Sequence, residues 1–143
     1  MSVLNQLYLS ELSKQYKLEG FEMFGNGFSS YYLSLGKRER VYLILCNNYS
    51  DSFEVSTILD KISSVESTNE KGRSYLCIMP MKNPTTDLCT YCNGKSFVHF
   101  IFFDNQTRDL IYDKKIYYLG SRQVKRLIDV FEKCFNDLKE KGR

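Results

Sequence analysis

Apolar residues recur along this chain with two different periods, and the switches between the periods divide it into elements. Leu4, Leu7, Tyr8, Leu12 and Tyr16 stand three and four apart, so a first helix is expected from a Ser2 cap to about Leu18, with Gly20 ending it. The runs Phe28–Leu35 and Glu39–Cys46 flank a Gly36-Lys37-Arg38 turn and predict a hairpin. From Val41 to Cys46 successive residues are apolar, the pattern of a strand covered on both faces. Asp51 and Glu54 resemble a capping box, and Val55, Ile58, Leu59, Ile62 and Val65 mark the stripe of a second helix ending at Ser67-Thr68-Asn69. A third strand is expected from about Ser74 to Met79, stopped by Pro80 and Pro84. Phe97–Phe103 is another doubly apolar strand, and the turn Asp104–Thr107 returns it into Arg108–Tyr112, with an extension through Lys115–Tyr118. The last helix starts from a Ser121 cap, and Val124, Leu127, Ile128, Phe131, Cys134, Phe135 and Leu138 form its wide stripe.

The resulting order, α-β-β-α-β-β-β-α, predicts one α+β domain over 1–143: a mainly antiparallel five-stranded sheet with helices packed on it. That order resembles the roadblock and longin families of small adaptor domains. The first helix and hairpin also resemble type III secretion chaperones, which are likewise small α+β binding proteins. The resemblance spans most of the chain and is carried by element order, not by a sequence motif. It implies a binding role by analogy of fold alone.

Composition narrows the class. At 143 residues the chain suffices for a single domain with a real core, and only two prolines and no low-complexity run argue against disorder. No segment approaches the length of apolar residues a membrane helix needs, so no membrane partner is expected. The start, Met1-Ser2-Val3-Leu4-Asn5-Gln6-Leu7, lacks the basic region of a secretory signal. Five cysteines, an odd number scattered through apolar segments, suit reduced thiols in a cytoplasmic protein. The net charge of +3 hides an asymmetry: residues 1–72 hold 7 basic and 9 acidic side chains, residues 73–143 hold 13 and 8. The basic half is suited to an anionic partner, or serves only as a solubilising surface.

Two places suggest chemistry. Cys89-Thr90-Tyr91-Cys92-Asn93-Gly94 has the spacing with which two thiolates grip one metal ion, and a structural zinc site would need two further ligands. Cys77, in the strand feeding this loop, is the foremost third ligand, with Cys46, His99 or the same pair from a second subunit as others. The alternative is two unliganded thiols, and no other cofactor is expected. A redox pair fits less well, because this pair runs toward a strand and not into a helix N-terminus.

The second place is the start of the last helix. Lys114, Lys115, Arg122, Lys125 and Arg126 cluster there, where cations oppose the helix dipole and would suit a phosphate or carboxylate. Tyr117 and Tyr118 could stack on a single-stranded base, unless Asp109 or Asp113 neutralises the patch.

Enzymatic readings fare poorly. His99 is the single histidine and lies within an aromatic strand, and no Gly-rich phosphate loop or nucleophile elbow is present. A nuclease pairing Glu11 with carboxylates on the hairpin is disfavoured, since Tyr31–Leu35 and Val41–Cys46 carry no acidic residue.

Aromatic residues are in surplus. If three helices leave one sheet face open, Tyr31, Tyr42, Phe100, Phe102 and Tyr117, with Phe131 on the last helix, would mark a protein interface. If the helices divide between the faces, everything is buried. The expected function is a non-enzymatic interaction or adaptor subunit, self-associating or part of a larger complex. The alternative is a nucleic-acid or nucleotide-binding accessory protein using the basic cluster.

Overall fold

The structure is a computed structural model, and it describes residues 3–21, 27–35, 39–47, 56–58, 60, 73–82, 98–104, 109–112 and 122–141. Its elements are α1 (Val3–Ser13), β1 (Glu19–Phe21), β2 (Phe28–Leu35), β3 (Glu39–Cys46), β4 (Arg73–Pro80), β5 (Val98–Asp104), β6 (Asp109–Tyr112) and α2 (Arg122–Lys141). Residues 56–58 and 60 are also helical, within the expected second helix, whose remainder lies outside the described residues.

All strands join one sheet in the order β1-β2-β3-β4-β5-β6. The α+β class therefore holds, but the sheet is mixed and not mainly antiparallel. β1–β2, β2–β3 and β5–β6 pair antiparallel, while β3–β4 and β4–β5 pair parallel. The reason lies in the connections. Parallel neighbours need a crossover of roughly a dozen residues or more, and the long stretches before β4 and before β5 supply one each. The strands they create, β3, β4 and β5, are the ones whose sequences are apolar on both faces, as parallel strands covered on both sides must be.

Among the described residues the sheet also has one strand more than expected. α1 stops at Ser13, where Gln15 and Tyr16 amides donate back to the Leu12 carbonyl at 3.0 and 2.8 Å. The chain then extends, and Glu19, Gly20 and Phe21 pair with Tyr32, Tyr31 and Ser30. Gly20 is thus a strand residue and not a helix stop: pairing with β2 overrides the helical spacing of Tyr16 and Leu18. Gly27, at φ 91°, has the left-handed backbone that favours glycine, and its carbonyl accepts from the Asn47 amide at 2.8 Å.

Alternation along the strands separates two cores. On the first face, Leu33, Val41, Leu43, Leu45, Leu76, Ile78, Ile101 and Phe103 meet Leu4, Tyr8 and Leu12 of α1 and Val124, Leu127, Ile128 and Phe131 of α2. On the second face, Ile44, Cys46, Tyr75, Cys77, Met79, Phe100 and Phe102 pack with Ile58. Both faces are therefore covered over the middle of the sheet.

Tyr8 pins the helices together. Its hydroxyl donates to the Leu127 carbonyl at 2.8 Å, and its ring meets Phe131 edge-on at 5.1 Å. Burial pushes the phenol well above its ordinary pKa, with Cys134 and Tyr16 adding to the rise.

Candidate functional site

Where the covered middle of the second face gives way to β1, the side chains change character. The pairings Glu19↔Tyr32 and Tyr32↔Tyr42, continued by Tyr42↔Tyr75, align three tyrosines across β2, β3 and β4. Tyr42 and Tyr75 stack at 5.1 Å with 18° between their planes, and Tyr32 meets Tyr42 edge-on at 5.3 Å. Tyr75 is buried, while Tyr42 and Tyr32 are only half-buried, so the row runs from core to solvent. It ends in a cavity of about 400 Å³ lined, among the described residues, by Glu19, Gly20, Tyr32, Arg40 and Tyr42.

Charge is arranged at the rim. The Glu19 carboxylate lies 3.6 Å from the Lys17 ammonium, both well exposed. Arg40 is exposed, and no ion pair to it is found among the described residues. Its register partner on β4 is Arg73, and Lys37 and Arg38 stand in the segment joining β2 to β3. The cavity thus combines aromatic surface, a guanidinium and a carboxylate already matched by a lysine.

A second unusual surface lies on α1. Its inward stripe is Leu4, Asn5, Tyr8 and Leu12, all buried. Apolar side chains continue past that stripe on both flanks: Leu7 and Leu9 are half-buried, and Val3 is 68% exposed. Tyr31 on β2 is half-buried against the same first-face core.

The residues singled out from the sequence scatter. Cys89 and Cys92 lie outside the described residues, as do Lys114, Lys115 and Tyr117. Cys77 is fully buried in the second-face core, and among the described residues no cluster of three metal-ligating side chains forms. Of the basic cluster, Lys125 and Arg126 are exposed on α2, and Arg122 contributes its backbone to the first turn. Among the aromatics, Phe100, Phe102 and Phe131 are at most 1% exposed. They are core residues of the single chain, because helices lie over both faces. Tyr31 and Tyr42 keep partial exposure.

His99 is 3% exposed inside β5, and Cys134 is 3% exposed at the α1–α2 junction. Burial, then the charges of Glu11 and Asp137, push the Cys134 thiol up, away from the thiolate a reactive cysteine needs. At the exposed end of α1 the opposite holds. The Lys14 ammonium, hydrogen-bonded to Glu11 at 2.9 Å, lowers that carboxyl.

Glu19, Gly20 and Arg40 were not visible as site residues from periodicity. The signal that finds two of the partners is register: the β2–β3 pairing sets Tyr32 opposite Tyr42, with Arg40 two residues along on the same side. Glu19 enters only through β1. No family model matches the chain, and no curated protein matches its sequence. Among the described residues no helix is long and apolar enough to cross a membrane.

Proposed function

We propose that this chain is a non-enzymatic protein-interaction subunit, a cytoplasmic adaptor that works as a homodimer or within a larger assembly. The observation that carries this reading is the uncovered flank of α1. A helix that is apolar beyond its core-facing stripe needs cover on more than one side. Here the protein's own core covers Leu4, Tyr8 and Leu12, Leu7 and Leu9 pack partly against it from opposite flanks, and Val3, four residues from Leu7, is left 68% exposed. A second copy laid against the Val3–Leu7 flank would bury both. Tyr31, half-buried against the first-face core, belongs to the same side of the sheet.

The non-enzymatic part draws support from the single histidine, which is enclosed in β5 and not presented to solvent. The cytoplasmic part draws support from Cys46, Cys77 and Cys134, which are buried within the two cores as small apolar side chains. The nucleic-acid reading of α2 has less behind it, since Lys125 and Arg126 share their side of the helix with Asp129 and Glu132.

Sedimentation velocity across a concentration series tests the reading, with Val3→Glu as the diagnostic variant. Self-association that Val3→Glu weakens supports it. A wild-type chain that sediments as a monomer throughout rejects the homodimer. Native mass spectrometry of the same sample reads the zinc proposal for Cys89 and Cys92 by metal content.

A further inference from the structure

We propose that the cavity between β1, β2 and β3 is a binding site for a planar ring carrying a phosphate group, the chemistry of a nucleotide. It lies beside the second face of the sheet, away from the α1 flank, and stands or falls independently of the interaction reading.

Four observations converge on it. The site is an open depression of about 400 Å³, room enough for a small ring that leaves one side to solvent. Two of its walls are Tyr32 and Tyr42; Tyr42 is flanked by buried Tyr75 on one side and by Tyr32 on the other, so the ring left open to a ligand is that of Tyr32, backed by the other two. Such a supported ring offers a surface for a base, because every base has a π-face to stack. At the rim, Arg40 presents a planar guanidinium with several donors, the geometry that recognises phosphate oxygens in pairs. The sequence around it is cationic on balance: Lys37, Arg38 and Glu39 precede it, and Arg73 is its backbone neighbour on β4.

Glu19 sets the orientation. Its carboxylate only accepts hydrogen bonds, so it repels phosphate and receives a ribose hydroxyl or an exocyclic amine. Lys17, 3.6 Å away, offsets its charge. The ligand would therefore seat its ring against the tyrosines, its sugar or amine toward Glu19, and its phosphate toward Arg40.

The same chemistry reaches the cavity from two sources, a free nucleotide or a single-stranded nucleic acid. Isothermal titration of the full chain with AMP, ATP, inorganic phosphate and a short oligoadenylate RNA separates them. The expected result is saturable binding of AMP or ATP, tighter than that of inorganic phosphate. Arg40→Ala should weaken it about tenfold, the scale of losing a charged hydrogen bond. Tyr32→Leu should weaken nucleotide but not inorganic phosphate, and Tyr32→Phe should retain both.

Oligoadenylate that binds more tightly than AMP, with a steep salt dependence, identifies a nucleic acid as the source. Oligoadenylate that binds no better identifies the free nucleotide. Because Arg40 is exposed and Tyr32 half-buried, circular dichroism should show both variants folded. No saturable binding of any of the four probes would overturn the proposal. So would nucleotide binding that Arg40→Ala leaves unchanged.

Discussion

The two helices that share the first face of the sheet solve the same problem differently. α2 separates its residues cleanly: Val124, Leu127, Ile128, Phe131 and Phe135 are buried, and Lys125, Arg126, Asp129 and Lys133 are exposed. Its inner side is satisfied by the core and its outer side by water. α1 mixes the two. It buries a polar residue, Asn5, whose amide donates to the Cys46 carbonyl at 3.4 Å, and it exposes an apolar one, Val3. On the interaction reading proposed above, the contrast assigns folding chiefly to α2 and contact with a partner to α1.

The comparison breaks first where α2 anchors the core. Phe131 touches Tyr8 at 5.1 Å and Phe103 at 5.3 Å, and it is fully buried. Phe131→Ala should cost about 3–5 kcal/mol in urea denaturation, most of the stability of a small domain.

Next in size is the tie between the helices. Tyr8→Phe removes the hydroxyl that satisfies the Leu127 carbonyl and should cost about 1 kcal/mol. That difference should depend on pH with a definite sign. A phenol whose folded pKa is raised contributes fully below its unfolded value, about 10, and loses that contribution as pH rises toward the folded value. The wild-type advantage over Tyr8→Phe should therefore shrink above about pH 10.

Smaller still in stability, and opposite in kind, is the effect on α1. Val3→Glu alters a side chain that is already 68% exposed, so the monomer should change by less than about 0.5 kcal/mol while self-association weakens. The smallest effect belongs to the outer side of α2. Arg126→Ala should leave both stability, within about 0.5 kcal/mol, and association unchanged. Loss of association there would move the contact surface to α2 and reverse the comparison.

The strands were legible in the sequence to a degree their arrangement was not. β2 and β3 match the hairpin expected from Phe28–Leu35 and Glu39–Cys46, because a short turn and local alternation set both strands and register. The direction of β4 relative to β3 depends on a crossover far longer than a hairpin, and no local signal encodes it. The doubly apolar stretches at 41–46 and 98–103 nonetheless held the clue, since parallel central strands are covered on both faces. Read that way, they also imply that Phe100 and Phe102 belong to the core and not to a surface.

β1 was hidden for a different reason. Three residues with a glycine among them carry no periodicity, and only pairing with β2 defines them. The cavity inherits that obscurity, for it exists where β1 brings Glu19 beside Tyr32. The α1 flank was hidden by the opposite effect. Its apolar residues were all visible, but which of them the core would leave uncovered depends on where α2 packs.

Sedimentation velocity of the wild type beside Val3→Glu tests the central claim most directly. The account predicts a concentration-dependent dimer in the wild type that shifts toward monomer in the variant, with both equally folded. A wild-type dimer that Val3→Glu leaves intact, or no association at any concentration, would contradict it.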